Sequence, residues 1–261
     1  MEVRISIDLL QAVRVSCIVL QTVTRGYLVP VYRLSDSIAF PPPREADESG
    51  LLAVGGDLRP ERLILAYSSG IFPWPHEGYP LLWFSPDPRM VLEPKRLPER
   101  KRLERSIRSR RFRFTLDQAF RQVMEQCAVT PSRAEEGTWI NGPMVEAYCT
   151  LHRLGHAHSI ECRQDDRLVG GLYGIVVGSI FIGESMFSDV TDASKACFYR
   201  LVQQLARWGF TLMDGQVETD HLAFLGMKPL DRDHYLDMLH QSLDSGFQHQ
   251  DWVLDPDLAG G

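Results

Sequence analysis

Two carboxylates and an amide are the residues of this chain whose types and spacing suit chemistry. Glu184 lies in Phe181-Ile-Gly-Glu-Ser-Met-Phe-Ser188; Asp214 and Gln216 lie in Phe210-Thr-Leu-Met-Asp-Gly-Gln216. Both runs read as strands, where residues two apart share a face. Glu184 and Met186 are therefore expected on one face, and Asp214 and Gln216 on one face of the next strand. A carboxylate among Phe181, Ile182, Met186 and Phe187 is costly to bury without a partner; the plainer reading is a solvent-facing or salt-bridged strand residue. Asp214 follows two apolar residues near a strand end, where crevices in such sheets lie. Beside Gly215 it also reads as a turn former.

Other chemistries are less well served. His152, His156 and His158 invite a metal, but Gly155 breaks the helix between them and only Glu161 stands at partner spacing, so no metal site is expected. Gly183-Glu-Ser-Met lacks the Gly-x-Ser-x-Gly elbow. Neither phosphate-cradling glycine loop is present. The five cysteines (17, 127, 149, 162, 197) include no Cys-x-x-Cys, which fits reduced thiols in a cytosol.

The elements that must position the acids follow from periodicity. Ser159–Arg163, Arg167–Val177 and Ser179–Ser188 read as an antiparallel meander. A helix follows, capped by Asp192 or Ser194, with Phe198, Leu201, Val202, Leu205 and Trp208 as its buried stripe. A strand over Thr211–Val217 completes a β-β-β-α-β unit, since a helical crossover brings two strands together in parallel. Upstream, Pro60 suits the first turn of a helix ending at Gly70. Ile71-Phe-Pro-Trp-Pro75 is an aromatic loop, strands flank Pro86-Asp-Pro88, and Thr115 to Gln118 has capping-box spacing. Helices are expected over 99–109 and from Pro143 to Leu154, and a last one from Arg232 to about Leu243 before a weakly structured tail. The expected fold class is α+β: residues 1–30 a flexible or mis-started extension, 31–130 a small N-terminal α+β domain, and 131–261 a C-terminal sheet domain.

The 261 residues are 44% hydrophobic and 24% charged, as in soluble globular proteins, and no apolar run approaches a membrane span. The net charge of −6 conceals a basic run. Between Lys95 and Arg113 ten Lys and Arg face only Glu99 and Glu104. That run reads either as a solvated helix face or, because phosphate contacts are local, as a grip on a polyanion.

The β-β-β-α-β unit resembles the acetyltransferase fold, which uses acyl-coenzyme A. Those enzymes place glycines between strand and helix so that backbone amides hold a pyrophosphate. Here the junction is Asp189-Val-Thr-Asp-Ala, with two acids and no glycine. The acyl group must then arrive on another carrier, and the basic, aromatic upstream region suggests RNA. An acyl-coenzyme A N-acyltransferase is the runner-up, and an RNA-binding module without catalysis the third reading.

Ordered motifs between about residues 35 and 236 resemble the bacterial leucyl/phenylalanyl-tRNA–protein transferases. They include Gly50-Leu-Leu-Ala-Val-Gly-Gly-Asp-Leu, Gly70-Ile-Phe-Pro-Trp, Trp83-Phe-Ser-Pro-Asp-Pro-Arg, Gly137-Thr-Trp-Ile, Leu168-Val-Gly-Gly-Leu-Tyr-Gly, Gly183-Glu-Ser-Met-Phe-Ser and Asp214-Gly-Gln. The resemblance implies transfer of Leu or Phe, and less readily Met, from aminoacyl-tRNA to proteins beginning with Arg or Lys, marking them for degradation. It implies a cytoplasmic monomer without cofactor or metal. Carried over residue by residue, Asp214 would orient or deprotonate the acceptor amine, Gln216 would hydrogen-bond near the ester, and Glu184 would lie by the aminoacyl group. Leu172, Phe181, Met186, Phe198, Leu201 and Met213 would form the aminoacyl pocket. Trp74, Trp139 and Tyr148 would hold the terminal adenosine, and Arg100, Lys101, Arg105 and Arg108 the tRNA backbone. The family pattern has Cys where this chain has Gly215, and usually Ile-Pro-Arg where it has Pro229-Leu-Asp-Arg232.

Overall fold

The computed structural model describes residues 18–24, 27–109, 111–130, 138–247 and 251–260, with side chains from Val31 onward. In chain order its elements begin with β1 (Ile18–Thr24), β2 (Tyr27–Leu34), β3 (Leu51–Gly55), α1 (Pro60–Ser68), β4 (Phe72–Pro73), β5 (Leu82–Phe84) and β6 (Arg89–Leu92). Then come α2 (Lys101–Ser109), β7 (Arg113–Leu116), α3 (Phe120–Ala128), α4 (Gly142–Arg153), β8 (Ala157–Gln164), β9 (Arg167–Val177) and β10 (Ile180–Ser188). The chain closes with α5 (Ala193–Trp208), β11 (Leu212–Asp214), α6 (Asp220–Leu225), β12 (Lys228–Leu230), α7 (Arg232–Asp244) and α8 (Pro256–Ala259).

A five-stranded sheet runs β1-β2-β3-β5-β4, and a seven-stranded sheet runs β12-β6-β11-β10-β9-β8-β7. The β-β-β-α-β unit is present: β8, β9 and β10 are antiparallel neighbours, and α5 crosses over so that β11 pairs with β10 in parallel. The buried stripe of α5 (Phe198, Leu201, Val202 and Leu205) packs on one face of the large sheet with Phe114, Leu172 and Phe181. On the other face, Val123 and Met124 of α3 and Met144 and Tyr148 of α4 share a core with Leu63 and Tyr67 of α1 and Trp83 of β5. That core is continuous between the sheets, so the aromatic loop after α1 is held rigidly against β10 and β11.

The sheets do not divide the chain at residue 130. Pro86-Asp-Pro88 carries it from β5 in the small sheet to β6 in the large one, and β7 forms the far edge of the large sheet. Within the stretch expected to be an extension, β1 and β2 pair with each other and β2 pairs with β3; residues 1–17 and 25–26 lie outside the described residues. So do Arg110 of the basic run and the start of the Gly137-Thr-Trp-Ile segment.

Four local expectations are corrected. β11 ends at Asp214, because Gln216 turns into the left-handed region at φ +66° while its carbonyl accepts from Met90 N. The alternation of β10 breaks at a bulge between Gly183 and Ser185. Before the bulge Phe181 faces the α5 core and Ile182 the opposite one; after it Met186 faces α5 and Phe187 the opposite side. Glu184 and Met186 therefore point to different faces. Helix α3 begins at Phe120, and Glu161 of β8 accepts from the amides of Gln118 and Ala119 at its start, so the Thr115 capping box does not form. The tail folds back: Trp252 stacks on His158 at 3.7 Å, and Arg207 pairs with Asp255 and Asp257.

Candidate active site

The parallel pairing of β10 with β11 lasts only from Ile180 and Leu212 to Ile182 and Asp214. Beyond it the bulge carries β10 one way and the left-handed turn at Gln216 carries the other strand away. The strands splay, and a cavity of about 260 Å³ opens between them. This is the carboxyl end of a parallel pair, where ligands of such sheets bind. Its walls include Trp74 from the aromatic loop, Trp139, Leu172, Glu184, Met186, Phe198, Met213, Asp214 and Gln216.

A single hydrogen-bonded chain crosses this crevice. Arg89, on β6 beside β11, forks onto Asp214. Its Nε lies 3.3 Å from Oδ1 and an Nη donates to Oδ2, with both residues almost fully buried. The guanidinium also donates to the Gly70 carbonyl at 2.8 Å and lies over the rings of Tyr235 and Phe72. Asp214 Oδ1 accepts from Gln216 N at 2.7 Å, which holds the left-handed turn. Gln216 Nε2 donates to Glu184 Oε1 at 2.7 Å, and Gln216 is one of the residues that line the cavity. Glu184 also accepts from the hydroxyls of Tyr67 at 2.8 Å and Tyr148 at 3.3 Å.

Burial pushes the Glu184 carboxyl up to about 7, and the nearby Asp214 charge pushes the same way; the three donors pull it down but do not win. Burial beside Glu184 likewise drives both tyrosine hydroxyls well above their usual range, so they act as donors. Glu184 can therefore change charge near neutral pH, and a cation in the crevice would draw it toward the carboxylate. The folded value lies above that of an unfolded glutamate, so the folded chain keeps the extra proton. Stability from this group is full below the unfolded value and is lost as pH rises to about 7. Glu184→Gln removes that limb. In denaturant melts at successive pH, the stability of the wild type relative to the variant should fall by roughly 3 kcal/mol between pH 4 and 8, at 1.36 kcal/mol per pKa unit. A difference that stays level would contradict the buried, protonatable carboxyl.

Three expected pocket residues are not brought to the cavity. Phe181 and Leu201 are buried in the α5 core behind its wall. Tyr148, expected at the adenosine, is fully buried and is not among the lining residues; its hydroxyl contacts Glu184 and Tyr67. Sequence reasoning missed Arg89 and Tyr67, and it also missed Leu222 and Met227, which line the cavity from the segment after Gln216. Both of these approach the backbone at Gly215, where a Cβ would lie 2.6 Å from Met227 Sδ and 2.7 Å from a Leu222 methyl. The one signal for Arg89 was its place at the end of a motif rich in turn residues.

Arg100, Lys101, Arg105 and Arg108 line a second groove with Glu99, Glu104, Tyr199 and Gln203. Glu104 is paired with Arg200 at 3.0 Å, so the groove stays positive. Among the described residues Asp117, His152 and His158 come within 4.8 Å of one another. Most of their polar atoms are engaged within the protein: His158 contacts Asp117 at 2.7 Å and the Gly155 carbonyl at 3.2 Å, and His152 Nδ1 contacts the Ala157 carbonyl at 2.8 Å. This group fastens β8 to the turn before α3. No helix is long and apolar enough to cross a membrane among the described residues.

An antiparallel meander, a crossover helix and a polar crevice where a short parallel pair splays define an α+β acyltransferase-type enzyme. The family description "Leucyl/phenylalanyl-tRNA protein transferase" matches residues 91–240, and that of its N-terminal domain matches residues 56–87. A leucyl/phenylalanyl-tRNA–protein transferase of Anaeromyxobacter sp. (strain Fw109-5) is 50% identical over 225 residues, covering 86% of this chain and 96% of its own. Those of Hydrogenovibrio crunogenus and Myxococcus xanthus are 47% and 46% identical, covering 87% and 86% of this chain and 90% and 97% of their own. The chain belongs to the leucyl/phenylalanyl-tRNA–protein transferase family. Among solved structures, a conserved protein of unknown function from Bacteroides thetaiotaomicron VPI-5482 aligns over 53% of each chain at 11% identity with a TM-score of 0.44, a partial likeness.

Proposed function

We propose that the protein moves Leu or Phe, and less readily Met, from aminoacyl-tRNA to the α-amine of proteins that begin with Arg or Lys, marking them for degradation as a cytoplasmic monomer. The observation that carries this reading is Gln216, whose backbone N is held by Asp214 and whose side-chain amide is held by Glu184 in a cavity also lined by Trp74 and Trp139. The reaction is aminolysis of an ester. The neutral acceptor amine attacks the carbonyl carbon, a C–N bond forms, the bond to the ribose oxygen breaks, and the amine's proton passes to the departing oxygen. No external energy source is needed, and positioning alone can supply roughly 7–11 kcal/mol of the barrier.

Gln216 Oε1 is suited to accept from the attacking amine and aim its lone pair. Both oxygens of Asp214 are engaged by Arg89, and Oδ1 also by Gln216 N, which favours an orienting role for Asp214 over a free base. Glu184 suits the donor's α-ammonium. Leu172, Met186, Phe198 and Met213 form apolar walls, which discriminate one methylene by only about 1–3 kcal/mol, so donor selection should be partial. Trp74 and Trp139, both part-exposed at the cavity, suit stacking on a splayed adenine.

Coenzyme A is disfavoured as carrier by the start of α5. Ala193 N is taken by the Val190 carbonyl at 3.0 Å and Ser194 N by Ser188 Oγ at 3.2 Å, while a Cβ on Gly170 of β9 would lie 2.6 Å from the Ala193 methyl. Two amides at the start of the helix are thus taken, and Gly170 backs closely on Ala193, so that junction offers a pyrophosphate little purchase. Incubating the protein with labelled Leu-tRNA and an Arg-initiated protein should move label to the protein; tRNA binding without transfer would leave only an RNA-binding module. Replacing Arg105 and Arg108, both exposed on α2, should weaken binding of all tRNAs alike. The salt slope should flatten by roughly 0.7–0.9 for each phosphate that is no longer neutralised. An unchanged slope in filter binding would make that run a solvated face.

A further inference from the structure

Helix α6 joins the two cavities. Thr219 and Leu222, at its start, line the crevice, whereas Phe224, at its far end, lies against Arg100 of the basic groove. Phe224 keeps 55% of its surface exposed. An exposed Phe is ordinary by itself, but this ring carries a guanidinium, with Arg100 Cζ 4.8 Å from its centroid and an Nη donating to the Phe224 carbonyl. The contact is built in rather than loose. Gly226 closes α6 in the left-handed region at φ +104°, and a Cβ there would lie 2.7 Å from Pro98, so the helix end is seated on the segment leading into α2. Ring and cation are thus fixed between a crevice suited to the aminoacylated nucleoside and a groove suited to phosphates.

A single strand running from the crevice to Lys101, Arg105 and Arg108 by way of α6 and Arg100 would pass this ring. Every nucleobase has a π-face, and aromatic rings beside cations are the usual platform for unpaired bases. We propose that Phe224, backed by Arg100, is a stacking platform for the nucleobase adjoining the terminal adenosine of the donor's single-stranded 3′ end. This rests on the aminoacyl-tRNA reading and adds a subsite to it.

The test compares two donors, Leu-tRNA and the minimal nucleoside ester leucyl-adenosine, which ends before the proposed subsite. Phe224→Ala should raise KM for Leu-tRNA about tenfold with kcat within twofold, while leucyl-adenosine, followed as substrate or as competitive inhibitor, keeps its wild-type constant. Phe224→Trp should restore the KM for Leu-tRNA. An unchanged KM in Phe224→Ala overturns the platform. Equal weakening of both donors also overturns it, since the ring would then merely support the crevice wall. A wild-type protein that transfers from neither donor overturns the functional reading instead.

Discussion

Asp214→Ala should lose about 3–5 kcal/mol of stability in denaturant melts, and transfer activity with it. The reason is the group left behind. Arg89 is 1% exposed, and among the described residues Asp214 is its one carboxylate partner. Removing one member of a buried pair strands the other as an uncompensated charge. The Gly70 carbonyl and the faces of Tyr235 and Phe72 soften that penalty but carry no formal charge. A simple loss of activity in Asp214→Ala would therefore confuse folding with chemistry. The double variant Arg89→Met with Asp214→Leu separates them, because apolar residues of similar volume often replace a buried pair without net loss. It should regain most of the lost stability while transfer stays at least about a hundredfold down, since nothing then accepts from Gln216 N to hold the turn. Wild-type transfer by the folded double variant would remove the pair from the catalytic apparatus.

Gln216→Ala should lower kcat by about 10²–10³ and leave the donor KM within a few-fold. A positioned group that acts on the amine only as the bond forms contributes on that scale. The side chain makes its one described hydrogen bond to Glu184, so truncation leaves the crevice walls intact and Glu184 still accepting from Tyr67 and Tyr148. The backbone turn survives, because it depends on Gln216 N and Asp214 rather than on the amide group. Steady-state kinetics with Leu-tRNA separate the alternatives. A raised KM at unchanged kcat would make Gln216 a binding residue only.

Periodicity carried much of this architecture. The stripe Phe198, Leu201, Val202 and Leu205 repeats at helical spacing, and it buries one face of α5 on the sheet as that spacing requires. Gly178 between β9 and β10 takes φ +53°, as a tight reversal demands. The three groups Glu184, Asp214 and Gln216 converge as their places near neighbouring strand ends suggested. What failed was alternation across Gly183-Glu-Ser, which reads as uninterrupted strand although the bulge turns Glu184 away from the Met186 side. A bulge is decided by how two strands register, and one strand does not encode it alone. Arg89 and Tyr67 were illegible for a related reason. They meet Asp214 and Glu184 from 125 and 117 residues away in sequence, and neither looks unusual among its own neighbours. Tyr148, assigned to the adenosine by resemblance, has its hydroxyl turned to Glu184, where it helps set the charge of that carboxylate.

A competition between donors tests the transfer reaction most directly. The protein would be given labelled Leu-tRNA and acetyl-coenzyme A together with a protein beginning with Arg, and the acceptor's N-terminus read by mass spectrometry. The expected product carries one leucine on the α-amine, forms only from the tRNA, is absent when the α-amine is blocked beforehand, and is reduced at least about a hundredfold in Gln216→Ala. Acetylated acceptor, or leucine attached to an acceptor whose α-amine was blocked, would contradict aminoacyl transfer at this crevice.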